Sequence, residues 1–469
     1  MADQGRSFSH RFMSVVCRRV LFVLCLVVAG FGAAAPGSAQ TLATLDSHGI
    51  PEPSIATSLP QYGDPSGTRK RLSERGFTYY LIYTNDVLSN LSGGTRRGTV
   101  DQGKLEAQFT FDLEKMAGWK DLTLYANAFQ IHNTGRMRRD YVGGLNTIAA
   151  IEADPATRLS ELWLERKFLG GAASFRIGQL AADSEFFFSD LSYMFLQTDW
   201  PTITAVNLPG SGPDYPLSTP GARVKLDVNP DTSLLLAVFN GDPAGPCAGD
   251  PDTCNRYGLN FRLRDPAFAI AEAQFRSNHG KDDTGLARTV KIGGWGHLGQ
   301  FADHRMANDG TLLANPAGSG EPARYRGDYG FYGIIDQQIY RPRGGAANSG
   351  ISVFGLASVT PSDRNLIDLQ LNGGIVFAGF IPHRPQDRFG ASVVYSRFSG
   401  SARAFDQDTI NFSGVPGVVR DYEANFELTY AAQIVPGWTV QPEFQYIRHP
   451  NGVAGRDAKV LGIRSVVNF

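Results

Sequence analysis

Leu461-Gly-Ile-Arg-Ser-Val-Val-Asn-Phe469 puts Leu461, Ile463, Val467 and Phe469 on one face of an extended strand and Gly462, Arg464 and Asn468 on the other. Successive side chains of a strand point to opposite faces, so such a segment offers an apolar side and a polar side. The same period of two runs back through the chain. Leu105, Ala107, Phe109, Phe111 and Leu113 alternate with Glu106, Gln108, Thr110 and Asp112. Ala222, Val224, Leu226 and Val228 alternate with Arg223, Lys225 and Asp227. Tyr422, Ala424, Phe426, Leu428 and Tyr430 alternate with Glu423, Asn425, Glu427 and Thr429, and Val440–Tyr446 sets Gln441, Glu443 and Gln445 on its polar face.

Connections between these segments alternate in length. Short ones fall at Gly118-Trp119, Gly170-Gly171, Asn229-Pro230-Asp231, Asp265-Pro266 and Val435-Pro436-Gly437; long ones fall near 134–157, 183–219, 241–255, 300–326 and 400–420. Short turns on one rim and long loops on the other are the pattern of a transmembrane antiparallel β-barrel. A soluble sandwich would alternate too, with its polar face in bulk water, and the amphipathic strand ending in Phe469 decides for the barrel. Seventeen segments from Phe77–Leu88 to Lys459–Phe469 qualify as strands, one more than the even parity of a single-chain barrel permits. The parity breaks between 265 and 326.

The amino end is of another kind. Arg6, Arg11, Arg18 and Arg19 precede an uncharged apolar run from Val20 to Phe31, and Gly37-Ser38-Ala39 supplies small residues for cleavage. This predicts a signal peptide over 1–39, too short in its apolar run to span a bilayer as a helix. A polar segment follows over 40–75, with a short helix from Ser66 to Arg75 that Ser66 caps and Gly76 ends. The barrel is then expected over 76–469. Cys17 and Cys25 leave with the signal, so Cys247 and Cys254 remain, and in an exported chain they read as a loop disulfide.

Of 469 residues, 42% are hydrophobic and 19% charged, and the formal net charge is -1. A charge so near zero argues against a nucleic-acid surface. A mean hydropathy of -0.19 argues against a bundle of membrane helices and leaves a barrel open, since only half of each strand meets lipid. There is no Gly-x-Ser-x-Gly, His-Glu-x-x-His, P-loop or Gly-x-Gly-x-x-Gly motif, so no enzyme and no cofactor is expected. Asp242, Asp250 and Asp252 near the cysteines could in principle hold Ca²⁺; solvated carboxylates are the commoner case, and no metal is expected.

Longer words in the chain are familiar as well. Ile151-Glu-Ala-Asp-Pro-Ala-Thr-Arg-Leu-Ser-Glu-Leu-Trp-Leu-Glu165 runs on to Arg176-Ile-Gly-Gln-Leu-Ala-Ala-Asp-Ser-Glu-Phe-Phe-Phe-Ser-Asp190. Asn207–Pro216, Phe239-Asn-Gly-Asp-Pro243, Pro361-Ser-Asp-Arg-Asn365 and Gln441–Pro450 follow in order. From about Asp64 to Phe469 the chain resembles the carbohydrate-selective porins of Gram-negative outer membranes. That resemblance implies sixteen strands, a pore narrowed by inward-folded loops with 183–219 as the constricting loop, and passive diffusion of monosaccharides and similar small solutes. It does not choose the sugar.

If the apolar faces meet lipid, the alternation lines the lumen with Glu106, Asp112, Glu161, Glu165, Asp227, Glu272, Glu423, Glu427 and Glu443. The cations facing them are Arg176, Arg223, Lys225, Arg262, Arg264, Arg276, Lys291 and Arg464. Balanced signs suit uncharged polyols, because guanidinium groups donate to hydroxyl oxygens and carboxylates accept from hydroxyl protons. Trp163 and Trp295 also count inward, where a ring could stack on a sugar's C–H face; belt or loop packing is the alternative. The expected substrate-binding set is therefore Arg176, Arg223, Lys225, Glu161, Trp163, Glu165 and Trp295, with the first three flanking the long loop. The expected partners are small carbohydrates, outer-membrane lipid, the barrel-assembly machinery through the strand ending in Phe469, and a possible second copy of the chain. A general, weakly selective porin and an exported carbohydrate-binding β protein without a channel are the alternatives.

Overall fold

The computed structural model describes residues 50–469 except 51, 59–62, 198–199, 248 and 281–282. The expected signal peptide lies outside these residues. One closed barrel of sixteen antiparallel strands holds the chain, each strand paired with its sequence neighbours and β1 with β16. The first half is β1 (Phe77–Ser92), β2 (Gly98–Asp112), β3 (Leu122–Asn133), β4 (Ala156–Phe168), β5 (Ala173–Leu180), β6 (Thr219–Asn229), β7 (Thr232–Asn240) and β8 (Ala267–Ser277). The second half is β9 (Arg288–Ala307), β10 (Pro322–Tyr340), β11 (Gly350–Val359), β12 (Ile367–Ala378), β13 (Arg388–Phe398), β14 (Tyr422–Val435), β15 (Trp438–Arg448) and β16 (Ala458–Asn468).

Burial along the strands is inverted relative to a water-soluble protein. On β14, Glu423 and Glu427 are 0% and 1% exposed, whereas Phe426 and Leu428 are 45% and 59% exposed. A row of exposed apolar side chains outside and enclosed charges inside is stable only if the outer surface meets hydrocarbon. Among the described residues no helix is long and apolar enough to cross a membrane; the strands do so.

The barrel closes where the chain ends. Ile82 pairs with Asn468 and Leu88 with Gly462, and the backbones of Leu81 and Phe469 exchange hydrogen bonds of 2.9 and 2.8 Å. The short helix Thr68–Glu74 lies beside this seam. Its first N–H groups are met by Asp64, whose carboxylate accepts from Arg69 at 2.9 Å and Lys70 at 3.1 Å, and not by the expected Ser66. Arg69 sets its guanidinium over the rings of Tyr79 and Phe469, at 4.3 and 5.0 Å from their centroids.

The seventeenth candidate strand is not a strand. Residues 256–264 alternate Tyr257, Leu259, Phe261 and Leu263 with polar residues, but they belong to one loop, 241–266, and Asp265-Pro266 is part of it. Arg262 and Arg264 therefore do not line the lumen: Arg262 is held by Asp265 at 2.7 Å and Arg264 is exposed. The parity error sits just before 265, and the loop expected at 300–326 shrinks to 308–321 because β9 and β10 run to 20 and 19 residues. Asp112 also leaves the lumen set, since it caps the rim helix Leu113–Ala117 by accepting from Glu114 and Lys115.

Candidate functional site: a lumen narrowed by two loops

Loop 181–218 leaves β5, enters the barrel and returns to β6. Its entry is braced by two arginines and two glutamates. Arg176 on β5 reaches Glu165 at 3.2 Å and Glu185 at 2.5 Å; Arg223 on β6 reaches the same two carboxylates at 2.9 and 2.6 Å. Glu165 and Glu185 thus each accept from both guanidinium groups, and all four side chains are largely or wholly enclosed. Arg176 also lies over the Trp163 ring at 3.7 Å, and Tyr125 stacks on that ring at a centroid distance of 4.7 Å. Lys225 pairs with Asp227 at 3.2 Å, and Trp295 packs beside Phe268 under the loop.

Several of the inward carboxylates of the wall are spent on the loop's backbone. A polypeptide folded irregularly inside a barrel has no ladder partners, so its N–H groups must find acceptors on the wall. Glu161 accepts from Ala181 at 3.1 Å and Glu272 from Phe187 at 2.9 Å. Asp336 accepts from Asp190 at 2.9 Å and from the Ser189 hydroxyl. Glu427 accepts from Leu196 at 2.8 Å and Gln197 at 3.0 Å, and Gln370 from Ile203 at 2.7 Å. Lys291 donates to the Phe188 carbonyl at 2.9 Å. Apolar packing completes the seat, with Phe186, Phe187, Trp200, Ile203 and Leu208 buried against Tyr125, Trp163, Trp295 and Tyr332.

A second inward loop, 134–155, was not singled out among the long loops. It crosses to the far wall, where Glu423 on β14 accepts from Leu145 at 2.7 Å and Asn146 at 2.8 Å. Gln445 on β15 donates to Ile148 at 2.7 Å, and Ala150 donates to Leu196 of the first loop at 2.8 Å. No short motif marks this loop; its length was the available signal.

Between the loops and the β2–β4 wall a recess remains, with about 1110 Å³ of empty space counting open solvent. Lys104, Glu106, Asn127, Phe129, Asp183, Phe188, Tyr193 and Tyr215 line it. Lys104 pairs with Glu106 at 3.0 Å and lies 4.7 and 4.9 Å from the Phe129 and Tyr215 ring centroids. Asn127 and Gln108 donate to Glu106 at 3.0 and 2.8 Å. Asp183, on the loop, accepts from the Tyr215 N–H at 3.1 Å, and burial pushes its carboxyl up to about 6. Glu106 belongs to the expected lumen set, and so do Glu161 and Arg464, which also line the recess. Lys104 sits in the same alternating stretch as Glu106, whereas Phe129 and Tyr215 meet only through the fold.

On the opposite side from the termini, Asp154, Asp250 and Asp252 converge. Arg136 stands at this cluster, 3.0 Å from Asp154 and 2.7 Å from Asp250, and Arg139 also reaches Asp250, so the arrangement is an ion-paired clasp between loops 134–155 and 241–266. Asp242, the third expected carboxylate, instead accepts from the Gly245 N–H at 2.8 Å. Cys247 and Cys254 form a disulfide.

A closed sixteen-stranded barrel whose polar interior is narrowed by its own loops has the architecture of a porin. The sequence profile described as carbohydrate-selective porin, OprB family, matches residues 96–469, and the chain belongs to that family. It is 24% identical to Porin B of Pseudomonas aeruginosa over 433 residues, 86% of this chain and 89% of that protein. It is 23% identical over 429 residues, 87% of this chain and 92% of the other, to a protein of Acinetobacter baylyi named putative porin QuiX. The high-pH structure of Pseudomonas putida OprB superposes with a TM-score of 0.76 at 22% identity, covering 87% of this chain and 97% of that one, and shares the fold.

Proposed function

We propose that this outer-membrane porin passes small carbohydrates by diffusion through the recess beside loop 181–218, with Lys104, Glu106, Asn127, Phe129 and Tyr215 as the groups a sugar meets. The observation that carries this is a donor, an acceptor and the Phe129 ring on the β2–β3 wall facing Tyr215 of the loop around one recess. Lys104 and Asn127 can donate to hydroxyl oxygens, Glu106 can accept from hydroxyl protons, and the rings offer flat apolar surface to C–H faces. Transport also calls for weak contacts, since a tightly held solute blocks its own path.

Arg176, Arg223, Glu165 and Glu161 then act on permeation through the loop they hold, and Lys225 through its pair with Asp227. Trp163, with one face under Tyr125 and the other under Arg176, works as a brace in the same assembly; Trp295 supports the loop from the far wall. In a balanced lumen a neutral polyol loses water-like hydrogen bonds and regains them from fixed groups, while an ion of either sign gains little.

Liposome swelling decides between this and a general pore. The purified porin, reconstituted, should admit hexoses faster than an amino acid of equal or smaller size; rates that follow size alone would establish the weakly selective alternative. A third expectation, a binding protein without a channel, does not fit strands whose apolar faces are all turned outward. Cleavage after Ala39 and recognition of the last strand by the assembly machinery complete the proposed route to the membrane, supported by the residue pattern at each end. A second copy of the chain remains a proposed partner, to be counted by light scattering of the purified porin.

A further inference from the structure

Segment 256–264, which imitates a strand in sequence, starts at the open edge of β4 beyond the end of β5, where β4–β5 pairing stops at Leu162 and Gln179. Gln179 shares the outward side of β5 with Phe175 and Ile177, yet it is only 2% exposed, because it donates to the Gly258 carbonyl at 2.9 Å. The Leu159 N–H of β4 donates to the Tyr257 carbonyl at 3.0 Å, and Arg158 donates to the Asn255 carbonyl at 3.0 Å. Asn255 and Asn260 bind each other at 3.1 Å, and the Arg262–Asp265 pair anchors the far end. The disulfide between Cys247 and Cys254 fixes the near end.

With its backbone turned to the wall, the segment turns its apolar side chains away from it. Tyr257, Leu259, Phe261 and Leu263 are 62%, 64%, 49% and 78% exposed. Four such residues in a row on a loop facing water would be a costly surface. The wall here is also low: β5 and β7 have 8 and 9 residues, at or below the 9–11 a tilted transmembrane strand needs. The segment supplies apolar surface where the wall falls short. Exposed Arg256 and Arg264 stand at its two ends.

We infer that Arg256–Arg264 is a lipid-docking strip on the outside of the barrel, taking an acylated, phosphorylated lipid of the outer leaflet. Tyr257, Leu259, Phe261 and Leu263 lie among its acyl chains, and Arg256 and Arg264 face its phosphate groups. Two features favour lipid over a second copy of the chain. The apolar strip extends the outward band of Ile177, Val224 and Val238, which is already lipid-facing, and the flanking groups are both cations, which two-fold pairing of identical strips would bring against each other.

The test uses the full porin purified in mild detergent, titrated with diphosphorylated lipid A, with bound lipid counted by native mass spectrometry. Arg256→Gln with Arg264→Gln should weaken lipid A binding about tenfold or more. Leu259→Ser with Phe261→Ser and Leu263→Ser should weaken it comparably, and monophosphorylated lipid A should bind the unaltered porin less tightly. Heat-shifted migration on a gel confirms that each variant is a folded barrel, and sugar entry into liposomes should not change, because the strip lies outside the lumen. Unchanged lipid A affinity in both folded variants overturns the inference. So does conversion of a wild-type oligomer to monomer in the apolar variant with lipid binding intact, which would assign the strip to a second copy.

Discussion

Glu185 ties Arg176 and Arg223 to the loop they brace, and its carboxylate is nearly inaccessible to water. Removing one member of a buried ion network leaves the others uncompensated, at a cost of about 3–5 kcal/mol. Glu185→Gln is therefore expected to loosen loop 181–218 more than the barrel: disaccharides should enter liposomes faster relative to hexoses while thermal unfolding of the strands shifts little. Arg176→Ala and Arg223→Ala should act in the same direction, and unchanged sugar rates in both would remove the quartet from the constriction. Phe129 makes a different kind of contact. An aromatic face contributes about 0.5–1.5 kcal/mol, so Phe129→Ala should lower the preference for hexoses over a small amino acid by roughly two- to tenfold, read as a ratio of swelling rates.

At the scale of elements, the inward loops are held by wall side chains, so each attachment is separable. Glu427 alone meets two N–H groups, those of Leu196 and Gln197. Leaving buried donors unmet costs about 1–3 kcal/mol each, so Glu427→Ala should make the loop mobile and the single-channel current noisy without abolishing the open pore. The outer clasp responds to pH. Burial first, and Asp250 second, raise the Asp252 carboxyl to about 6 from its ordinary 3.8. A group bound more tightly to its proton in the docked state favours docking fully below the ordinary value and withdraws that support as pH rises through about 6. Amide exchange across 250–260 should therefore be better protected at pH 5 than at pH 7, and Asp252→Asn should flatten that difference.

For the whole molecule, a lumen with both signs of charge has no ring of one sign to select ions. A reversal potential near zero in a potassium chloride gradient is expected across a planar bilayer holding the porin; a strong preference for either ion would contradict the balanced lumen. Much of this architecture is legible in residue order. The inward side of β14 follows from Glu423, Asn425 and Glu427 alternating with Phe426 and Leu428, and the long loop after β5 from the gap before Thr219. The site was legible only in part. Alternation puts Glu161, Glu272 and Glu427 inward but cannot tell an acceptor for sugar hydroxyls from an acceptor for a loop's own N–H groups.

Residue order by itself determined the class of fold, because lipid on one side and water on the other impose a period of two that needs no knowledge of partners. Its count of candidate strands came out one too many, and the place of the constricting loop came from the family resemblance. The tertiary structure decided what each polar group is spent on. Loops 134–155 and 181–218 cross the barrel to partners more than two hundred residues away, such as Asn146 to Glu423 and Leu196 to Glu427, and such pairings leave no local trace. It decided the fate of 256–264 as well. That segment alternates as a strand does because it too has one side on protein and the other exposed, yet it meets β4 through the Leu159–Tyr257 backbone bond beyond the end of β5 and continues no ladder from there.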